Sequence, residues 1–412
     1  MAELTYETLR DAVAGGAVAL RSILRLQPAD GEGGKVFPPT YAVRSGHRYA
    51  MEERLVDGEV RHTVLLDSVA SQANRAELAL LEGWESGELE FPVPFVDFTS
   101  EQIGADIGRV TVLEAPHRLA DAIFRDSLLD GTLFRLSDIG KAITDARPRN
   151  ATAMFRYAPS ALLFGQWDST GPKGGLGAKF QRSYVSEIVG HDAVVGKGVS
   201  SRIDPLQIER SSATLLEHKE SDQVWTLDPA EAVQAGGKPK PLKKTGRPAE
   251  ANHGNITPSF DVNADGAVIG GGVTISYAVQ TTVISLAAIR RLRFADASRE
   301  ASLAARTAVA ALGIAAIAYG YEVDFDLRSR CLLIPEGPPR VELVRRDGAE
   351  PEVIELDRRS SSALIERSAQ EAAEAGLGWT TDEVRLVPAA KLIELLRRSR
   401  EVSAREGETE SE

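Results

Sequence analysis

The chain has 412 residues, enough to bury a substantial core in one large domain or two. Its one cysteine, Cys331, excludes an intrachain disulfide and a cysteine-based zinc cluster, and fits a reducing compartment. A formal net charge of -12 argues against indiscriminate nucleic-acid binding, so any such role has to rest on local basic strips.

The amino terminus, MAELTYETLRDAVAGG, is acidic where a signal peptide is basic. Val18–Gln27 alternates as a strand after a short helix. Tyr49–Arg54 and His62–Leu66 bracket Asp57-Gly58, a hairpin signal. Ser68 or Ser71 caps a helix over Gln72–Trp84 that stops near Gly87. Phe91–Gly108 reads as loop, Ala115–Ser127 and Ser137–Ala146 as helices, and Leu162–Asp168 and Phe180–Val189 as strands. Between His191 and Gly271 the periodicity fades, as in a functional or mobile insertion. Gly272–Leu286 is a long strand or strand pair, Ser298–Ala318 a helix and Tyr319–Leu327 a strand. Thr307–Tyr321, the most apolar run, is bounded by Arg306 and Glu322 and reads as buried helix rather than membrane span. Val341–Val344 and Val353–Leu356 form a hairpin around Asp347-Gly348, and two helices and a polar tail follow. The expected fold is α+β, and the expected location cytoplasmic.

Charge is unevenly placed. Asp347–Glu412 holds sixteen acids and nine bases, whereas Lys238–Arg247, KPKPLKKTGR, is purely basic. From Lys141 to Arg182 seven Lys/Arg face two Asp, a local +5. Inside that stretch lies a glycine-rich turn, Gly171–Gly177, between two strand-like runs. Backbone amides freed at Gly174 and Gly175, flanked by Arg149, Lys173, Lys179 and Arg182 with the amides of Asn150 and Gln181, suit a chain of phosphates. Trp167, Phe164 and Phe180 offer faces on which a base stacks. Neither a Walker motif nor a dinucleotide fingerprint fits, since Gly177-Ala-Lys179 breaks the Gly-Lys pair and a third glycine is wanting. The bland alternatives are a packing hairpin and, for Trp167, a core strand.

Several ordered blocks resemble the backbone subunit of type I-G (formerly I-U) CRISPR Cascade, in the Cas-seven family of RAMP proteins. They are KVFPPTY (35–41), DSVASQANRAE (67–77), EAPHR (114–118), Arg149-Asn150, WDSTGP (167–172), GGLGAKF (174–180), SRIDP (201–205), NHGN (252–255) and the strand from Gly272. They run from about residue 4 to 294, roughly seventy per cent of the chain. The resemblance implies an RRM-like (ferredoxin-like) palm sheet with two main helices over residues 1–330. It also implies a finger-type insertion near 88–158 and a thumb-type insertion near 191–271, followed by a C-terminal α/β extension (331–400) and a disordered tail (401–412). The implied function is a non-catalytic subunit that oligomerises along CRISPR RNA, binds its phosphate backbone and presents the guide to target DNA. Implied partners are copies of itself, the fused Cas-five/Cas-six subunit, the large Cascade subunit and the recruited Cas-three helicase-nuclease. No membrane and no cofactor are expected.

The resemblance adds Lys35, Arg202, Lys243, Lys244 and His253 to the RNA-contact candidates. Gln72, Asn74 and Arg75 join them at a helix start, where free N–H groups favour phosphate; a capped surface helix is the plain alternative. Arg118 is a phosphate contact or the ion-pair partner of Glu114 or Asp121. His117 reads as a structural histidine. The alternative function is a RAMP-type metal-dependent endoribonuclease using Asp67 or Asp168, but neither has another acid within four residues and two-metal chemistry needs several.

Overall fold

The computed structural model describes residues 2–42, 48–101, 104–169, 178–209, 211–262, 266 and 270–410. The central part of its main sheet is antiparallel and is built from Ala17–Pro28 (β1), Met51–Val56 (β2), Glu59–Asp67 (β3), Tyr184–His191 (β4), Tyr277–Ser285 (β5), Arg340–Arg345 (β6) and Glu352–Glu355 (β7). These lie in the order β7–β6–β1–β5–β4–β3–β2, with Leu24 opposite Gln280 and Gln280 opposite Ile188. The β2–β3 hairpin turns at Asp57 and Gly58, both with positive φ, as the Asp-Gly pair demands. Two helices, Val69–Glu85 (α1) and Arg299–Glu322 (α2), start where a serine hydroxyl accepts a backbone N–H. Ser68 does this for Ser71 and Ser298 for Ala301.

Leu20, Leu24, Ile284 and Tyr184 lie on one face of the sheet, and Leu20, Ile284 and Tyr184 share a core with residues of α1 and α2. Each fully buried Leu or Ile contributes about 1.5–3 kcal/mol. The alanines of α2 add less individually, but they let the helix lie close to the strands. Gly83 in α1 has the same purpose, since a Cβ there would stand 2.5 Å from the Tyr319 ring. Tyr319 is fully buried, its hydroxyl 3.0 Å from Glu88 Oε2, and α2 therefore continues to Glu322 where a strand from Tyr319 was expected. Only Phe325–Asp326 of that stretch is extended.

The C-terminal region is woven into this body. Arg358–Glu374 (α3) adds Leu364, Ile365 and Ala372 to the same core as α2. Strand Arg385–Pro388 sits in the middle of a second sheet, parallel to Phe95–Asp97 and antiparallel to Ser127–Leu129. Residues read as loop at Phe91–Gly108 thus contain a strand, Phe95–Asp97, paired with Arg109–Thr111 on one side and with the returning chain on the other. The backbone of the last helix, Ala390–Glu410 (α4), is helical to Glu410.

Two other readings are corrected. Ala115–Ser127 is not one helix: Arg118 has φ 52, and Asp121 Oδ1 accepts the Ile123 N–H to start a separate turn over Ala122–Arg125. Leu162–Asp168 is helical to Phe164, turns at Gly165 and is extended only at Gln166–Trp167. A short apolar run looks alike in a buried helix and a strand.

A second compact unit consists mainly of Val195–Gly272. Leu215, Ala232 and Leu242 form its small core, and the buried Glu217 carboxylate is held by Lys240 Nζ at 2.7 Å. Short hairpins replace long strands, among them Gln234–Ala235 with Lys238–Pro239 around Gly236-Gly237.

Candidate nucleic-acid interface

The strands Gln166–Trp167 and Lys179–Phe180 pair antiparallel, with Trp167 directly opposite Lys179. Phe180 turns into the core while Trp167 stays 55% exposed, with Lys179 Nζ 5.1 Å from its ring centroid. Both rim an open depression whose lining includes His117, Arg118, Phe164 and Arg182. Gln181, next in the chain, is exposed. Gly165 makes the wall possible, because its φ is +81° and a Cβ there would lie 2.9 Å from the Arg182 amide nitrogen. A flat aromatic face beside an ammonium and a guanidinium is the chemistry that holds a stacked base and its phosphate. Lys173, Gly174 and Gly175 lie outside the described residues.

Below the depression sits a buried charge cluster. Arg118 donates from Nε and Nη2 to the two Glu77 carboxylate oxygens, both at 2.6 Å, and from Nη1 to the Gly165 carbonyl at 2.8 Å. The partner of Arg118 is thus Glu77, rather than Glu114, which accepts the Thr111 N–H, or Asp121, which caps its own turn. Burial pushes the Glu77 carboxyl up to about 7, opposed by Arg118 and, at longer range, Arg182. Arg182 donates to the Phe164 carbonyl at 3.2 Å; burial and then the Arg118 charge lower its affinity for its proton, though it stays a cation.

The helix-start candidates divide. Gln72 is 4% exposed and bonds to Asp67, Ser186 and Gln280 inside the core. Arg75 bonds to Asp67 at 3.0 Å and to the Leu327 carbonyl at 2.6 Å, and Arg328 completes the cluster at 3.2 Å. Only Asn74 of the three faces outward. Asp168 is likewise engaged, by Arg135 at 2.7 Å. Among the described residues no group of three or more His, Cys, Asp or Glu converges as a metal site.

Arg149 is exposed, while Asn150 Oδ1 accepts the Thr152 N–H and so shapes the turn beside it. Lys35 is exposed on a two-residue strand paired with Val273 and Thr274. In the second unit the blocks SRIDP and NHGN prove to be one structure. Arg202 donates to the Gly254 and His253 carbonyls at 3.0 and 2.7 Å, Asn255 Oδ1 accepts the Asp204 N–H, and the Asp204 carboxylate accepts backbone N–H groups from Leu206 and Ile208. That clasp holds Ile203 and Leu206 out at 87% and 71% exposure. The His253 ring meets Trp225 edge-on, and Lys243 and Lys244 are exposed at a turn.

One constellation escaped the sequence reading. On the sheet face away from α1 and α2, the Arg25 guanidinium lies 3.7 Å from the Tyr277 ring centroid, and His191 stacks on Tyr277 at 4.8 Å. Burial holds the His191 imidazole below its ordinary value, with Asp192 acting the other way. The three come from β1, β5 and β4. Strand alternation puts each on that face, but only the register brings them together.

An α+β protein with a base-and-phosphate-sized basic depression on its main body is a class that admits many proteins. Residues 20–195, from β1 through β4 and including every described wall of the depression, match the family described as CRISPR-associated protein GSU0053. Over those residues the chain is similar to CRISPR-associated proteins. No curated protein matches it. The matched stretch ends at Val195, the first residue of the longest segment of the second compact unit.

Proposed function

We propose that this protein is a non-catalytic backbone subunit of a type I CRISPR effector, of the Cas-seven type, acting in the cytoplasm. Copies assemble along CRISPR RNA, hold its phosphates and leave the bases to pair with target DNA. The observation that carries the reading is the depression, where an exposed Trp167 faces Lys179 and Arg182 within the family-matched stretch. The strand order supports it too. Taken with α1 and α2, β1, β4, β5 and β6 follow the chain as β-α-β-β-α-β and lie in the order β6–β1–β5–β4, an order that the proposed RRM-like palm would share. In this reading Lys179, Arg182, Trp167, Gln181 and Arg149 contact RNA. The clasped loop of the second unit, with Lys243 and Lys244, is the thumb-type element. Gln72, Arg75, Arg118 and Arg202 hold structure instead, because their donors are already engaged. The fused Cas-five/Cas-six subunit, the large subunit and Cas-three are the proposed partners.

Sedimentation with and without CRISPR RNA at low salt tests this, and RNA-dependent oligomers are expected. Phosphate contacts carry no base code, so two scrambled guides of equal length bind within a few-fold of each other. An unchanged monomer sinks the scaffold reading. Cleavage of labelled repeat RNA with Mg²⁺ would replace it with an endoribonuclease.

A further inference from the structure

We propose that nucleic acid entering the depression is bound together with a proton that lodges on Glu77, so that the site is occupied more strongly below neutral pH than above it. This rests on the RNA-binding reading above and concerns the same depression.

The geometry is a buried carboxylate sharing its cations with a ligand site. Glu77, on α1, is 2% exposed and gripped at 2.6 Å by both forks of Arg118. Arg118, from the turn at 118–120, and Arg182, from the segment before β4, are the charged groups acting on it, and both line the depression. A phosphate set against Arg182 and Lys179 brings negative charge to the cations that oppose protonation of Glu77. With part of their field cancelled, the neutral carboxyl gains. The floor is shielded from solvent, so salt screens this coupling less than it screens the rim contacts. Burial already places Glu77 near neutrality, where a further upward push changes its occupancy. The proton comes from solvent and forms an O–H bond on one Glu77 oxygen. Phosphodiesters stay ionised throughout, and His117, the imidazole on the rim, is replaced in a control variant.

The test uses the full chain and a labelled single-stranded RNA. Anisotropy titrations from about pH 6 to about pH 8.5 read affinity, and calorimetry in two buffers of different ionisation enthalpy counts protons. Affinity is expected to fall with pH, by at most about tenfold per unit for one proton. Uptake is expected to persist in His117→Gln and to vanish in Glu77→Gln. If Glu77→Gln does not fold, the proton count on the wild type and on His117→Gln still decides. Zero uptake by a wild type that binds RNA, or uptake that follows His117, overturns the inference and leaves RNA binding intact. No RNA binding at any pH overturns the proposed function and this inference together.

Discussion

The Asp67 cluster and the Trp167 depression begin from similar material, a basic residue near amides and a tight local turn. They end in opposite roles. At Asp67 a carboxylate only 1% exposed collects Gln72, Arg75 and Arg328, and every donor that meets it is committed. At the depression, among the described residues, Lys179 has an aromatic ring beside it and Arg182 donates to one carbonyl. The difference teaches that a cation's availability is set by where the nearest buried carboxylate lies, which strand and helix packing decides. Arg118 shows the rule within one site: it lines the depression, yet Glu77 holds it.

The sharpest way to break this comparison is Arg118→Ala. It would leave Glu77 buried without its partner, and a loss of about 3–5 kcal/mol in urea unfolding is expected. A change in RNA affinity with stability intact would instead make Arg118 a binding residue.

Next in size is the pH dependence of folding through Glu77. Its folded value, about 7, lies above the ordinary 4.5, so the folded state holds the extra proton between them. The stabilisation is therefore complete below about pH 4.5 and lost as pH rises through 7, by at most about 3 kcal/mol. Comparing wild type and Glu77→Gln by denaturation at about pH 5 and about pH 8 reads it. A wild-type stability that gains on the variant with rising pH contradicts the assignment.

Trp167→Ala, on the open side of the comparison, is expected to weaken RNA binding by about 1–3 kcal/mol. The melting temperature should hardly move, since the side chain is 55% exposed. A large melting shift without an affinity change would return Trp167 to the core.

The smallest effect expected is that of Lys243→Ala with Lys244→Ala, which lowers the salt slope of RNA binding by about one to two units. The fold should survive, because the core of that unit rests on Leu215, Ala232 and Leu242. An unchanged slope assigns these lysines to solvent.

Much of the fold was legible because its signals are local. Asp57-Gly58 turns its hairpin, and Ser68, Ser137 and Ser298 cap their helices through an N–H three residues on. The alternation of Val18–Gln27 survives as β1. The failures share a cause. Arg118 takes a left-handed backbone within reach of Glu77, 41 residues earlier, and that breaks the helix expected there. Tyr319 stays helical because Gly83 and Glu88 receive it.

For the candidate site, the residues alone supply the ingredients: the basic excess of Lys141–Arg182 and the presence of Trp167, Lys179 and Arg182 within it. Composition and short-range spacing suffice for that, since charge and ring belong to single residues. Which cations stay open to a ligand was decided only by the tertiary structure. Ion pairing in a low-dielectric interior depends on partners tens to hundreds of residues away, as Asp67 with Arg328 and Glu77 with Arg118 show. No local spacing encodes those meetings. They follow from the packing of α1 and α2 on the sheet and the register of its strands.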